Sequence, residues 1–457
     1  MRTAPRPLSG ASRRYAFPAG ERHTLASGLV IHVVPMRRLP VATALLMSDA
    51  GAECDAVEAS GLAALAAEAL AEGTKRRTGT ALSDAFERLG GSLETGVTWV
   101  HAECGTTVMA HRLPAALQLL AEVISEPVFP EGEVTRLRHE RLAELLQQRT
   151  EPRGLADDMF ARVCFAATCR YAIEDGGDER TVANLTRSAI VSHHQRHVAP
   201  ANSALIVVGD VDHDVVLQLA ETAFGSWSGL GSRAPAVEVA PARSERGVHL
   251  VAKPDSAQSE LRIGHLTVPR AHEDFYALSV MNAILGGLFN SRINLNLRET
   301  HAFTYGAFSH FDWRRRASTF EVSTAVRSDV TAAAVREILA EIDRMMSERV
   351  DPSELSLAVD YLTGVFPIRF ETTAAIADAL AMREGFGLVP DYYDRYRERI
   401  ASISADDVLR VAQEHLNPDR LQVVAVTDPA LVRDELAALG VGPTCEYGPT
   451  GVVSSET

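Results

Sequence analysis

Two segments of this 457-residue chain concentrate side chains of catalytic type or spacing. In GGLFNSRINLNLRETHAFTYG, residues 286–306, Arg298 and Tyr305 combine a guanidinium with a phenol hydroxyl. Both are rigid donors of the kind that hold a carboxylate or a developing oxyanion. In GLAALAAEALAEGT, residues 61–74, positions 64, 67 and 68 are spaced i, i+3 and i+4 and share one helix face. On such a face a zinc site would place its ligands and base. Here the positions hold Ala64, Ala67 and Glu68. Alanine has no lone pair to offer, and a catalytic zinc needs three protein ligands plus an open position.

The frame of the second segment resembles the M16 (pitrilysin, insulinase and mitochondrial processing peptidase) family, whose pattern runs G-x-A-H-x-x-E-H-x-x-F-x-G-T. Gly61, Ala63, Gly73 and Thr74 match it, while both histidines and the glutamate are missing. The resemblance places the family's third zinc ligand at Glu144 in HERLAELLQQRTEP. A two-carboxylate site of Glu68 and Glu144 can be drawn, but zinc prefers nitrogen and sulfur donors and no general base remains. The expectation is an Ala-rich helix packed by Leu62, Leu65 and Leu70, with Glu68 partly solvated and no metal.

The first segment resembles the family's C-terminal signature, an L-R-E followed by G-L-A-Y. Leu297, Arg298, Glu299, Ala302 and Tyr305 are the match, with His301 and Phe303 read in place of the glycine and leucine. In the family this arginine and tyrosine lean over the zinc helix of a facing domain and hold the substrate. Some members divide these parts between two chains, one with the zinc motif and one with the Arg/Tyr pair. The resemblance implies a chain of the second kind, which binds no cofactor itself, pairs with a zinc-bearing M16 subunit and contributes Arg298 and Tyr305 to peptide hydrolysis. The alternative is a peptide-binding or structural relative with no proteolytic role, in which Arg298 pairs with Glu299 and Tyr305 is an interfacial aromatic. Gly286-Gly287 reads as a tight strand-to-helix turn.

Composition bounds the rest. At 46% hydrophobic and 23% charged, the chain is of ordinary globular type and long enough for two cores. A formal net charge of −15 argues against nucleic acid and suits basic peptides. Five scattered cysteines, Cys54, Cys104, Cys164, Cys169 and Cys445, read as reduced thiols in a cytoplasmic protein. No apolar run spans a membrane. The first twenty residues are arginine-rich and acid-free, as in a transit peptide, but their prolines oppose an amphipathic helix, and a short basic tail is expected.

The chain also repeats itself. PANSALIVVGD from Pro200 matches PDRLQVVAVTD from Pro418, LLAEVI from Leu119 matches ILAEI from Ile338, and the strand candidates at Val41 and Leu261 fall near the same spacing. This predicts an α+β duplication. With the resemblance it becomes a tandem of αββαβ domains forming half of a clamshell: a tail 1–21, a domain 22–225, a linker 226–246, a domain 247–440 and a tail 441–457, with disorder expected up to about Arg14 and from about Gly442. His193, His194 and His197 in SHHQRHVAP include an i, i+4 pair but no intervening glutamate, and are expected to be solvated helix-end histidines.

Overall fold

The computed structural model describes residues 14–448 and 451, and the backbone of 453–456. Its first half contains β1 (Glu21–Thr24), β2 (Val30–Pro35), β3 (Val41–Ser48), β4 (Glu94–Val97), β5 (Ala102–Met109) and β6 (Ser203–Gly209). Helices α1 (Leu62–Ala69), α2 (Gly79–Glu87), α3 (Leu113–Ser125), α4 (Glu131–Thr150), α5 (Pro152–Cys164), α6 (Glu179–Ala183), α7 (Arg187–His197) and α8 (His213–Phe224) are threaded between and after them. The second half has β7 (Gly247–Ala252), β8 (Gln258–Thr267), β9 (Ala307–Asp312), β10 (Ser318–Arg327), β11 (Gln422–Thr427), β12 (Thr444–Tyr447) and β13 (Val453–Glu456). Its helices are α9 (Phe275–Asn282), α10 (Arg292–Asn294), α11 (Thr331–Ser347), α12 (Pro352–Arg369), α13 (Thr373–Phe386), α14 (Tyr392–Ala401), α15 (Ala405–His415) and α16 (Pro429–Ala438).

The duplication predicted from the sequence is present in the topology. One sheet runs β1-β2-β6-β3-β5-β4 and the other β13-β12-β7-β11-β8-β10-β9. The order β2-β6-β3-β5-β4 therefore recurs as β7-β11-β8-β10-β9. In each half the first pair of that order is parallel and the other three are antiparallel. The two matching proline stretches become β6 and β11, whose residues are buried throughout. A strand apolar along its whole length must be covered on both faces.

That covering is reciprocal. One face of the first sheet packs on α1, α3 and α8 of its own half through Ile31, Ala44, Leu46, Leu205 and Val207. The opposite face, with Val34, Leu45, Ile206 and Val208, packs on Ile376, Ala377 and Leu380 of α13 from the other half. The second sheet mirrors this, with Val251, Val424 and Val426 meeting Leu155, Met159 and Phe160 of α5. Each half thus lends a helix to the other.

Two local expectations are corrected. The chain from Thr444 is not a disordered tail, since β12 adds parallel to β7 and β13 pairs antiparallel with β12. Extended residues beside an open sheet edge satisfy their backbone groups there. At the other end, the disorder expected up to about Arg14 falls on residues 1–13, which lie outside the described residues, and from Tyr15 onward the chain is packed, Phe17 stacking on Tyr393 at 4.7 Å between ring centres. Gly286 and Gly287 are not a strand-to-helix turn. They close a π-helical stretch, Ala283–Gly287, that continues α9. At Gly286 a Cβ would collide with Ser309 of β9, so glycine there permits close packing of helix end on strand. Between α8 and β7 the chain has no regular element and is pinned to the end of α5, Ala242 N donating to Cys164 O at 3.0 Å.

If the lent helices tie the halves into one body, Ile376→Ala, at a fully buried position on α13, is expected to cost about 2–5 kcal/mol and leave a single unfolding transition. Separate transitions for the two halves in a denaturant titration would refute this.

Candidate functional site

Helix α1 is anchored from its N-terminal side. Asp55 accepts hydrogen bonds from Gly61 N and Ala63 N, each at 3.0 Å, and lies 3.6 Å from Arg170. Burial pushes the Asp55 carboxyl up to about 7, opposed by Arg170 and the two amides. Gly61 starts the helix at φ 92 and Gly73 ends the segment at φ 134, both in conformations that favour glycine. The motif's frame is thus a helix-positioning device that needs no metal.

On the face where ligands would stand, Ala64 is half-buried, Ala67 is buried and Glu68 is exposed, while Leu65 and Leu70 are in the core. Glu144, on α4, is close enough to act on Glu68. Desolvation raises the Glu68 pKa, the Glu144 charge adds to it, and Arg141 opposes. Arg141 also lies 3.3 Å from Glu144 and donates to Gly176 O at 3.1 Å. Arg141 therefore places a guanidinium charge beside both carboxylates. Two oxygen donors, no nitrogen donor and an arginine among them do not fit a catalytic zinc.

The histidines of α7 are a correction. His193 and His197 are buried rather than solvated, because α7 packs on α1. Burial, with the His197 charge adding, lowers the His193 pKa to about 3, and burial lowers His194 to about 4. His197 Nδ1 lies 3.0 Å from Ser232 O. They serve as neutral core groups.

In the second half, Arg298 sits in a π-helical stretch, Leu295–Thr300, a rare geometry common at functional sites. Its guanidinium carbon lies 4.5 Å from the Phe289 ring centre and its Nε 3.6 Å from Glu299. Its Nη1 is buried without a hydrogen-bond partner among the described residues. Tyr305 is 94% exposed, with Phe289, Leu295 and Phe308 also exposed nearby in the chain. Between them Ala302 adopts φ 54, the left-handed region that favours glycine. The signature's glycine therefore belongs at Ala302 rather than His301, with Phe303 and Thr304 following in the places of leucine and alanine.

Tyr305 stands at a cavity of about 880 Å³ that the sequence did not reveal. The cavity is bounded by α5, the strands β8, β9 and β10, and Trp99 and Tyr171 from the first half. Buried Arg262 lies 2.6 Å from Asp157, 3.1 Å from Glu260 and 3.2 Å from Glu321. Burial pushes Glu321 up to about 7, against Arg262 and with Asp157 and Asp312. Arg314 lies 2.8 Å from Asp312 and stacks at 4.1 Å over Trp99. These groups come from β8, β9, β10, α5 and the loops that carry Trp99 and Arg314. The only local signal was a charged residue inside each of two strongly apolar strands, Arg262 in LRIGHL and Glu321 in TFEVS.

The family model described as Insulinase (Peptidase family M16) matches residues 37–170, and that described as Peptidase M16 inactive domain matches residues 184–362. The chain belongs to the M16 peptidase family. An uncharacterized zinc protease of Streptomyces coelicolor is 24% identical over 402 residues, covering 86% of this chain and 87% of that protein. Cytochrome b-c1 complex subunit 1, mitochondrial, of Bos taurus is 25% identical over 252 residues, 54% of this chain and 51% of that one. Among solved structures, a protease from Helicobacter pylori superposes with TM-score 0.84 at 20% identity, covering 90% of this chain and all of its own. The peptidase M16 inactive domain from Pseudomonas fluorescens gives TM-score 0.82 at 24% identity, with coverage of 89% and 98%. No helix among the described residues is long and apolar enough to cross a membrane.

Two outcomes follow for this M16 chain. Ala302→Gly relieves a left-handed alanine, a strain of about 1–2 kcal/mol, part of which is returned as unfolded-chain entropy. A gain of about 1 kcal/mol in chemical denaturation is expected, and a loss would overturn the assignment of the signature's glycine. The second outcome concerns pH. Unfolded histidine titrates near 6.5, so between there and the folded value of about 3 only the unfolded chain takes up the His193 proton. The His193 contribution is complete above about pH 6.5 and is lost as pH falls. His193→Leu is expected to flatten that acid limb by up to about 1.4 kcal/mol per pH unit; an unchanged slope in urea titrations at several pH values would show that His193 is not the buried neutral group.

Proposed function

We propose that this chain is a catalytically incomplete M16 subunit that pairs with a zinc-bearing M16 subunit and contributes Arg298 and Tyr305 to peptide hydrolysis. The observation that carries the reading is Tyr305, 94% exposed and lining the cavity, together with Arg298 seven residues earlier in the chain, which does not line the cavity and whose Nη1 has no hydrogen-bond partner among the described residues. A buried donor left unsatisfied costs about 1–3 kcal/mol, a cost that a substrate carbonyl supplied at an assembled interface would remove. The exposed Phe289, Leu295 and Phe308 in the same stretch of chain support a surface that is covered in a complex. Zinc in this scheme belongs to the partner's helix, since Ala64, Ala67 and Glu68 with Glu144 supply neither ligands nor base. The cavity offers six carboxylates and three arginines, which favours peptides with basic residues. Five free cysteines, four of them buried, support a cytoplasmic location.

A second reading, a peptide-binding or structural M16 subunit without proteolytic role, draws on two observations. Arg298 is stacked on Phe289 and near Glu299 rather than free, and one relative is named as a subunit of the cytochrome b-c1 complex.

The test uses the purified chain, a zinc-bearing M16 subunit from the same source, and both together. Alone, this chain is expected not to cleave peptides; together, turnover rises well above that of the zinc-bearing subunit. Tyr305→Phe keeps the ring and is expected to lower the rate of the assembled complex tenfold to a thousandfold, mainly in kcat, and Arg298→Lys to impair it through loss of the planar fork. Assembly with unchanged cleavage in both variants would favour the second reading.

A further inference from the structure

A cluster outside the M16 site has the donor set of a metal centre. Glu21 and His23 alternate on β1 and so face the same side. His213, the first residue of α8, meets them there. Glu21 Oε2 lies 3.4 Å from His213 Nε2 and 3.9 Å from His23 Nε2, the two imidazole centres are 4.6 Å apart, and one donor atom from each residue lies within 4.8 Å of the others. Donors bound to zinc at about 2.0–2.1 Å in tetrahedral geometry stand roughly 3.3–3.4 Å apart. The cluster therefore needs only a small closure, of exposed Glu21 and half-buried His23 and His213, to reach that spacing.

The tautomer of His213 is suited to the task. Its Nδ1 lies 3.1 Å from Asp214 Oδ1, and an N–H donated to that carboxylate leaves the lone pair on Nε2. Nε2 is itself buried and has no hydrogen-bond partner among the described residues. A carboxylate holding the far nitrogen of an imidazole is the usual way in which a metal-binding histidine is oriented. Glu21 and Asp214 also offset the positive end of the α8 dipole, which otherwise disfavours a cation. The other two-histidine cluster, His272, Asp274 and His415, lacks this opening, because Arg410 takes both oxygens of Asp274 at 2.6 and 3.3 Å.

We propose that Glu21, His23 and His213 bind one divalent transition ion, zinc by ligand type, with Asp214 as the positioning residue. The ion clamps the edge strand β1 to the start of α8. It is a surface staple separate from peptide hydrolysis, so it stands whatever the fate of the Arg298/Tyr305 reading.

The test is titration of the metal-stripped full chain with Zn²⁺ by calorimetry, and with Co²⁺ followed by its visible absorption. One ion per chain is expected, with a rise in the melting temperature. His213→Ala and His23→Ala each abolish binding or weaken it more than tenfold, Glu21→Gln weakens it, and Asp214→Asn weakens it about tenfold. Glu144→Gln leaves it unchanged, which separates this centre from the degenerate M16 helix. Metal-free melting temperatures of the variants close to that of the parent exclude misfolding as the cause, and His23→Gln replaces His23→Ala if that variant is unstable. No binding at millimolar Zn²⁺, or binding that survives both His213→Ala and His23→Ala, overturns the proposal.

Discussion

The exchange of α5 and α13 between the two sheets is the constraint on which the molecule depends. Each sheet buries one face under its own helices and the other under a helix from the opposite half. A half standing alone would expose Val34, Ile206 and Val208, or Val251, Val424 and Val426, as a broad apolar face, which water penalises at roughly 25 cal/mol per Å². The duplication therefore yields one cooperative body rather than two tethered domains.

Polar ties across the join follow from that clamping. Arg315, from the turn between β9 and β10, donates to Gly385 O at 2.6 Å and to Asp49 at 2.9 Å, and lies 3.4 Å from Glu53. Tyr171 donates its hydroxyl to the same Glu53. Arg314 donates to Tyr171 O at 3.1 Å. Of these, Glu53 and Arg314 are buried, and buried charges persist only where every partner is held in place. At this end the β9–β10 hairpin is pinned to the first half. At the other end of β9, the Thr304–Gly306 turn carries Tyr305 outward and free. The cavity lies between the pinned and the free end.

The degenerate helix fits the same logic. Asp55, Gly61 and Gly73 hold α1 by capping, turning and close approach, and none of these roles involves a metal. The glycine and threonine frame of a zinc helix can therefore stand with its ligands absent, and Arg141 supplies a positive charge beside Glu68 and Glu144. The loss of ligands is local in its effect, which is why it leaves the sheet and helix order of an M16 chain intact.

What the sequence determined by itself was local or repeated. Period and flanking turns marked β6 and β11, the repeat marked the duplication, and residue identity alone showed that Ala64 and Ala67 cannot bind zinc and that Arg298 and Tyr305 remain. What only the tertiary structure decided was which distant residues meet. His193 and His197 look like solvated histidines at a helix end until α7 is laid against α1. Arg262 and Glu321 look like interruptions of strands until β8 and β10 pair beside α5. Ala302 could not be assigned the glycine's place until its backbone was seen to be left-handed, and the strand from Thr444 had no signal until the open side of β7 offered it hydrogen bonds. The physical reason is common to these cases. Helix and strand periods are written within a few residues, whereas burial, charge pairing and sheet edges are set by segments hundreds of residues apart that share a contact only after the two halves have exchanged their helices.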